Sequence, residues 1–455
     1  MPRQVRRLAE GPARGRWVTR TAQPPMSTDR GPGPRRALPG SSVVPAPRSR
    51  PRTADVPTLG VEEELHLLDE ERLVLRPVAT GVLAAARRGW DPARGELQGE
   101  LTLAQVETAT PVCATLAEVA SSLGALRARF SAAAAAAGCR LASAGVAPLT
   151  DWRAQLRSPE DRYAALAERA GRLVAEQQIA GLHVHIGVPD PADAVRLLDG
   201  LRPWLPVLLA LSASSPWWEG SDTGFASWRA VHWRRWPVVG PPPVFGSAEG
   251  YDTTAAALER AGVISGPTQL YWDARRSLRW PTVEVRVADA QPLVEGSVVL
   301  AGLIRGLGAA LLAGADGLRG AGDSPADPVP DLVLQAATWR AARWGLTEQL
   351  VDPRAGDGRL VPAGTAVEAL LRAAAPGLAA AGDTERVQAG VRRLLREGGP
   401  AQRLRAAGSA YLASRLLVEE TVRDLPPAVL VRSGAGDPDD PDTARLLAEV
   451  PPHSG

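Results

Sequence analysis

The sequence contains no lysine and no asparagine, so arginine supplies all 52 of its permanently basic side chains. Without lysine, the chain can form no Schiff base with a carbonyl substrate, and it cannot build the phosphate-binding loop that ends in Gly-Lys-Ser or Gly-Lys-Thr. If the protein binds phosphate, arginine and metal ions must therefore hold it.

Cysteine is almost as scarce as lysine. Cys113 and Cys139 are too few for a disulfide framework or for a zinc site made of thiolates. Their scarcity favours a reducing compartment, and the sequence shows no signal peptide. We therefore predict that the protein is cytoplasmic.

A long hydrophobic run free of charge is also missing. The most apolar stretch, residues 297–318, has Arg305 near its middle, and its leucines recur at helical spacing. This pattern is typical of a packed helix rather than a membrane span, so we expect no membrane partner.

Positive charge is concentrated at the N terminus, where residues 1–52 hold twelve arginines against two acidic side chains. Because this segment is rich in proline and glycine and has no hydrophobic period, we expect a disordered tail; a transit peptide or a nucleic-acid-binding arm is the alternative. Because the net charge of the whole chain is only +2, the tail's excess of ten positive charges leaves a net charge of −8 on the remaining residues, which argues against nucleic acid as the main partner. We predict one globular domain over residues 53–425 and a polar tail over residues 426–455.

Strand-like and helix-like segments alternate irregularly along this domain. Apolar alternation predicts strands over residues 58–69, 181–187 and 282–289. Helices are predicted over residues 115–130, from residues 158–161 onward, over residues 190–201 and through most of the chain beyond residue 297. Strands that recur far apart, with helices between and after them, predict an α+β fold with a largely antiparallel sheet and helices packed behind it.

Each predicted strand carries ionisable side chains on one face and apolar side chains on the other, because alternate residues of a strand point the same way. The side chains that share these polar faces are Glu62, Glu64, His66, His183, His185, Glu284 and Arg286. Glutamates and histidines gathered on one side repel one another or stay unpaired unless a cation lies between them. A half-solvated strand is the alternative for the two histidines of residues 181–187, whereas the three strands together favour a divalent metal site.

The chemistry of the donors indicates which metal. Carboxylates, with Glu107 added, outnumber imidazoles, and Mg²⁺ prefers oxygen ligands whereas zinc prefers nitrogen and sulfur. Magnesium together with a nucleotide is therefore predicted. We interpret Glu63 as a rim or paired carboxylate and His66 as a neighbouring or surface histidine rather than as ligands, and Asp289 as a cap of the following turn.

A tryptophan-rich stretch, residues 214–250, is predicted to be mostly loop. It has two interpretations: an aromatic-stapled loop on the flank of the protein, or a lid whose Arg229 binds a substrate carboxylate.

Five motifs then occur in a recognisable order: GVEEE (60–64), ELTLAQVETATPV (100–112), GLHVHIG (181–187), DTGFASWR (222–229) and LYWDARRSLRWPTVEVRVADAQ (270–291). They closely resemble the bacterial carboxylate-amine ligases of the glutamate–cysteine ligase type 2 family, and the resemblance runs from about residue 56 to about residue 425. It implies a fold like that of glutamine synthetase and the guanido kinases, in which an antiparallel sheet lines a nucleotide cleft.

The resemblance also implies roles for individual residues. Metal-ligand candidates are Glu62, Glu64, Glu107, His183 and Glu284. His185 and Arg286 are implied to contact the phosphates of ATP and to act in catalysis. Arg229 joins them as a predicted binding residue on the separate ground of the lid interpretation given above. Where relatives contact phosphate through a lysine, this chain must make that contact through another residue.

The implied activity is ATP- and Mg²⁺-dependent formation of an amide from an amino-acid carboxylate and an amine, through an acyl phosphate. The product would resemble γ-glutamyl-cysteine, and the partners would be small molecules. Two alternatives stay open: a metal-dependent hydrolase, and a non-catalytic relative that binds a nucleotide or an amino acid. The sequence does not identify the amine acceptor, and a homo-oligomer also stays open.

Overall fold

The computed structural model describes residues 56–314 and 329–428. The chain divides into two units, residues 1–50 and residues 51–455, and all described residues belong to the second. The predictions for residues 1–52 and for most of residues 426–455 lie outside the described residues.

Eleven strands are found in the described part of the chain. They are β1 (Leu59–Asp69), β2 (Glu96–Gly99), β3 (Gln105–Ala109), β4 (Cys139–Ala142), β5 (Gly181–Gly187), β6 (Trp217–Trp218), β7 (Ser221–Asp222), β8 (Ala274–Arg276), β9 (Thr282–Asp289), β10 (Gln349–Val351) and β11 (Leu360–Pro362). Seven of them form one sheet in the order β2-β3-β1-β5-β9-β8, and β4 pairs with the end of β1. The strand pairs of this sheet in the described part of the chain are antiparallel, which confirms the predicted arrangement.

Helices make up most of the remainder. They are α1 (Ala79–Arg87), α2 (Leu116–Ala136), α3 (Asp161–Ala170), α4 (Arg172–Ala175), α5 (Pro191–Leu201), α6 (Leu205–Ser212), α7 (Trp228–Trp233), α8 (Ala248–Arg260), α9 (Val294–Leu312), α10 (Asp331–Trp344), α11 (Ala363–Ala381), α12 (Thr384–Glu397), α13 (Pro400–Ala406) and α14 (Ala410–Thr421).

Local signals explain where several helices begin. Thr115 and Glu118 form the predicted capping box of α2, which runs six residues beyond the predicted end. Asp190 caps α5 through its side chain, with Pro191 in the first turn. Helix α3 begins at Asp161 without a side-chain cap.

The core lies behind the sheet. Apolar side chains of β5 and β9 join helices α5, α6, α9 and α11 in one buried cluster. Helix α9 is long and apolar enough to cross a membrane, but 78% of its most apolar window is buried inside the fold. Its Arg305, 1% exposed, donates to the carbonyl of Ala114 and to the carboxylate of Asp383. The predicted packed helix is therefore confirmed.

The tryptophan-rich stretch is more regular than predicted. Strands β6 and β7 form a short hairpin within residues 214–250, and α7 follows with Ser227 as its N-cap. The side chain of Ser227 accepts a hydrogen bond from the backbone N–H of Ala230, which satisfies a donor that the first helical turn leaves free.

Candidate active site

The polar faces of three neighbouring strands meet in the middle of the sheet. In the strand registers, Glu62 lies opposite His183 and His185 lies opposite Glu284. The β5–β9 register shifts between Leu182 and Val184, so β5 is irregular at His183. Irregularities of this kind often re-aim a side chain beside an active site.

Glu62 bridges the two histidines. Its Oε2 lies 3.2 Å from Nδ1 of His183, and its Oε1 lies 3.3 Å from Nε2 of His185. Burial opposes ionisation of this carboxyl, but the hydrogen bonds and charges of the two histidines outweigh burial and hold the pKa of Glu62 well below its usual range. Glu62 is therefore an anion throughout the neutral range.

Glu284 is held by arginine. Its Oε2 accepts a hydrogen bond from Nε of Arg275 at 2.8 Å, and its Oε1 contacts Nη1 of Arg286. Burial raises the pKa of Glu284, but the charges of Arg286 and Arg275 more than offset it and lower that pKa far below its ordinary value. The same charge pairing raises the pKa of Arg286 against the effect of its burial.

Among the residues that the structure describes, two groups of possible ligand atoms come close enough to share one cation each. Glu62, Glu107 and His183 form one group, and Glu62, His185 and Glu284 form the other, with the ligand atoms in each group within 4.8 Å of one another. Glu64 belongs to neither group: its Oε2 accepts from the backbone N–H of Gly181 at 2.6 Å. Its Oε1 lies 3.8 Å from Nε2 of His183.

Negative charge is in excess at the first group. Burial, followed by the charges of Glu62, Glu100 and Glu64, raises the pKa of Glu107 well above its ordinary value. Carboxylates whose charges disfavour the ionisation of a buried neighbour in this way favour a bound divalent cation, and their oxygens are the donors that Mg²⁺ prefers. The residues present therefore fit magnesium.

A cavity of about 140 Å³, partly open to solvent, adjoins this cluster. Its charged and polar lining includes Glu64, Glu100, Tyr163, His183, Arg229 and Arg286, and its aromatic lining includes Trp233, Trp236 and Tyr271. The two arginines give the cavity a place for an anionic group, and the aromatic side chains give it a dry wall.

Arg229 reaches the cavity from α7 and is only 4% exposed. Its Nη2 donates to the carbonyl of Arg286 at 3.1 Å and its Nη1 to that of Val287 at 3.3 Å. Gly181 makes room for it, since a Cβ at residue 181 would lie 2.5 Å from Nη2 of Arg229. The tryptophan-rich stretch thus forms a cavity wall, and the interpretation of a loop stapled on the flank is wrong.

Asp289 fixes this stretch in place. Its Oδ2 accepts from the backbone N–H of Ser214 and from Oγ of Ser215, and its Oδ1 accepts from Oγ of Ser227, all at 2.7–2.9 Å. The predicted cap of the following turn is therefore wrong, because the carboxylate points into the fold and organises the 214–229 segment.

Two further polar residues of β1, Glu63 and His66, belong to neither group of possible metal ligands. Glu63 is buried on the apolar side and forms a double hydrogen bond with Arg127 at 2.7 and 2.8 Å, so the predicted paired carboxylate is confirmed. His66 is fully buried rather than on the surface, and its Nε2 lies 3.2 Å from the carbonyl oxygen of Ala144. Burial lowers the pKa of His66 to about 4, so this ring is neutral.

Sequence reasoning missed four residues of this region. Glu100 lines the cavity just after β2 ends, and Tyr163 donates to its Oε2 at 3.2 Å; burial and the charge of Glu64 raise the pKa of Glu100 to about 7. Arg275 holds Glu284, and Oγ1 of Thr282 lies 2.9 Å from Nδ1 of His185. Thr282 could have been found from strand alternation, since it shares the face of Glu284.

Comparison with known proteins agrees with this geometry. Residues 58–422 match the model of the family described as glutamate-cysteine ligase family 2. The chain is 43% identical over 348 residues to a Saccharopolyspora erythraea protein provisionally named glutamate–cysteine ligase 2-1, covering 76% of this chain and 89% of that one. It is 38% identical over 377 residues to the provisionally named glutamate–cysteine ligase 2 of Rhodopirellula baltica, and this match covers 82% of this chain and 99% of that one.

Solved structures show the same fold at low sequence identity. Glutamate–cysteine ligase from Francisella tularensis, in complex with AMP, superposes with a TM-score of 0.59 at 12% identity, over 81% of this chain and 90% of that one. A bifunctional glutathione synthetase from Pasteurella multocida gives a TM-score of 0.57 at 16% identity, over 80% of this chain and 52% of the longer one. With the family match over most of its length, the chain belongs to glutamate–cysteine ligase family 2 and is an enzyme of the carboxylate-amine ligase kind.

Proposed function

We propose that the protein joins the carboxylate of one amino acid to the amine of another at the expense of ATP, through an acyl phosphate, to give a product like γ-glutamyl-cysteine. The observation that carries this proposal is the position of Glu62, which lies within 3.3 Å of two histidines and beside an arginine-lined cavity. Clustered carboxylates next to a cavity with cationic walls suit a phosphate donor and an acid acceptor.

The proposed metal ligands are Glu62, Glu64, Glu107, His183 and Glu284. Glu64 would have to exchange its hydrogen bond from Gly181 for such a role, and Glu284 would have to share its oxygens with Arg275. Bound Mg²⁺ would neutralise charge on the phosphates of ATP.

The chemistry follows from the poor reactivity of a carboxylate, whose oxygen cannot leave when an amine attacks. Transfer of the terminal phosphoryl group of ATP to a carboxylate oxygen gives an acyl phosphate and ADP. The amine then attacks the acyl carbon, the bond from carbon to the phosphate oxygen breaks, and the amine loses a proton. Amide and inorganic phosphate are released, and the phosphate keeps one oxygen of the original carboxylate.

Arg286 and His185 are the proposed phosphate contacts. Arg286 lines the cavity, and its raised pKa keeps it cationic. Burial lowers the pKa of His185, but its hydrogen bond to Glu62 and the charge of that carboxylate raise it overall, so this ring also tends toward the cation. Two cations beside the transferred group lower the energy of the charge that develops there.

Arg229 is the proposed anchor of the acid substrate. It lines the cavity and is 4% exposed. A guanidinium binds a carboxylate through two parallel hydrogen bonds, which fixes orientation as well as charge.

Three broader points belong to the same proposal. Residues 53–425 are the catalytic domain, and its sheet and cleft are arranged as in glutamine synthetase. The protein works in the cytoplasm without a membrane partner. Homo-oligomers are compatible with this function.

A screen of ADP release tests the proposal. The full-length chain is supplied with Mg-ATP and pairs of amino acids, beginning with glutamate and cysteine, and the product is identified by mass. We expect ADP in a one-to-one ratio with amide, and only when both substrates are present. Turnover without ATP would instead indicate the hydrolase, and binding of Mg-ATP without ADP release for any pair would indicate the non-catalytic relative.

A further inference from the structure

The turn between β8 and β9 reaches across the sheet. β8 is one edge strand of the sheet and β2 is the other. Nevertheless, Nη1 of Arg279, in the turn, lies 3.8 Å from Oε2 of Glu96 at the start of β2. The turn therefore arches over the polar face toward the opposite edge.

Two large apolar side chains of this turn are exposed to solvent. Leu278 is 59% exposed and Trp280 is 51% exposed, although most large apolar side chains in this fold are buried. The backbone around them is fixed: the N–H of Trp280 donates to Oγ of Ser277 at 3.3 Å, and the N–H of Thr282 donates to the carbonyl of Trp280 at 2.7 Å. An exposed tryptophan on a fixed turn, unlike a scattered surface residue, suits a specific planar partner.

The turn continues the polar face of β9. Thr282 is the first residue of β9 and contacts His185, and Glu284 follows two residues later on the same face. At roughly 3.3 Å per residue for extended chain, the backbone of Trp280 lies at most about 13 Å from that of Glu284. This span matches an extended nucleotide with its phosphates at the carboxylate cluster.

The cavity lies toward the other end of the same face. Arg286 follows Glu284 along β9, and Arg229 approaches Gly181, which pairs with Asp289 at the end of that strand. The carboxylate cluster thus separates the cavity from the turn. If the acid substrate occupies the cavity and the phosphates occupy the cluster, the base of the nucleotide must extend toward the turn.

We propose that the indole of Trp280 stacks on the purine base of the bound nucleotide; this inference rests on the proposed ATP-dependent function. The guanidinium of Arg279 lies 5.5 Å from the centre of the indole ring. A purine binds an indole face through stacking and apolar contact, and such contacts tolerate different bases because every base offers a π-face. Trp280 is thus a binding residue for the base and not for the phosphates.

Calorimetric binding of Mg-ATP and of Mg-tripolyphosphate tests the inference, because tripolyphosphate carries the phosphates without the base. The proteins are the full-length chain, Trp280→Ala, Trp280→Phe and the control Trp339→Ala; Trp339, 49% exposed, lies on α10. We expect Trp280→Ala to raise the Kd for ATP roughly tenfold or more and Trp280→Phe to raise it less. The Trp280 variants should bind tripolyphosphate with the Kd of the unmodified chain. Trp339→Ala should bind both ligands with the Kd values of the unmodified chain.

Other outcomes overturn the inference. The inference fails if Trp280→Ala leaves the Kd for ATP unchanged, or if it raises the Kd for ATP and the Kd for tripolyphosphate by the same factor. It also fails if the unmodified chain does not bind ATP. Light scattering that shows a dimer lost in Trp280→Ala, with ATP binding unchanged, would assign the turn to a second copy of the chain instead. These measurements need no amino acids, so a failed amide assay would count against the proposed function while leaving the stacking result readable.

Discussion

Oε2 of Glu62 lies 3.2 Å from Nδ1 of His183, although the two residues are separated by 121 positions in the sequence. The contact joins β1 to β5, where burial and the charges of Glu62, Glu100 and Glu64 raise the pKa of Glu107. Since Glu62 itself stays ionised, it supplies a fixed negative charge at the centre of the cluster.

Glu62→Gln should lower kcat by at least about a hundredfold, because it removes the shared charge of both ligand groups while keeping the shape of the side chain. Glu368→Gln, an exposed carboxylate on α11, is the matched control and should keep full activity. Steady-state rates and urea unfolding together check the prediction. Near-normal turnover of Glu62→Gln at low Mg²⁺ would remove this residue from the site.

Glu63, next to Glu62 in the sequence, should affect the stability of the fold. Glu63 and Arg127 are both 0% exposed and form a double hydrogen bond, so Glu63→Gln leaves a buried guanidinium without its counter-charge. We expect the free energy of unfolding to fall by about 3–5 kcal/mol, measured by urea titration. Glu62→Gln should cost far less stability, and equal losses for the two variants would contradict the assignment of opposite faces.

His183→Ala should raise the Mg²⁺ concentration needed for half-maximal activity, because it removes a nitrogen donor from the group that includes Glu62 and Glu107. We expect a shift of roughly tenfold to a hundredfold. His66→Gln is the control, since His66 belongs to neither ligand group. An unchanged Mg²⁺ profile for His183→Ala would show that this histidine only packs in the sheet.

The stability of the fold should depend on pH through His232 of α7. Burial, followed by the charge of Arg235, lowers the pKa of His232 from 6.5 to about 4. Below pH 6.5 the ring binds a proton in the unfolded chain but not in the folded chain. The contribution of His232 to the free energy of unfolding is therefore complete above pH 6.5 and is lost as the pH falls toward 4. At pH 5 the loss amounts to about 2 kcal/mol.

Urea unfolding at pH 7.5 and at pH 5.0 measures this loss. The unmodified chain should lose about 2 kcal/mol more than His232→Gln between the two pH values. Equal losses would show that the ring titrates alike in both states.

Strand alternation explains why much of the site could be predicted. A period of two depends only on local backbone geometry, so Glu62, His183 and Glu284 could be assigned to polar faces without knowledge of their partners. Partners depend on how distant segments pack, so the ion pair of Glu63 with Arg127 could be expected only as a pair of unknown identity. Glu100 follows the end of β2, where no period assigns a side chain to a face.

The tryptophan-rich segment shows the limit of composition as a guide. Its prolines and glycines favoured a loop, yet Ser227 caps a short helix that brings Arg229 to the cavity. The serine was visible as a capping residue three positions before Ala230. Its role depends on Asp289, 62 residues away, whose oxygens hold the segment against the sheet.

We propose that the phosphoryl group passes to the substrate carboxylate before the amide forms. The direct measurement supplies the acid substrate with heavy oxygen in its carboxylate, runs the ligation to completion and weighs the released phosphate by mass spectrometry. We expect each phosphate released with an amide to carry one heavy oxygen. Unlabelled phosphate beside authentic amide would contradict it, even if the protein proved to be a ligase.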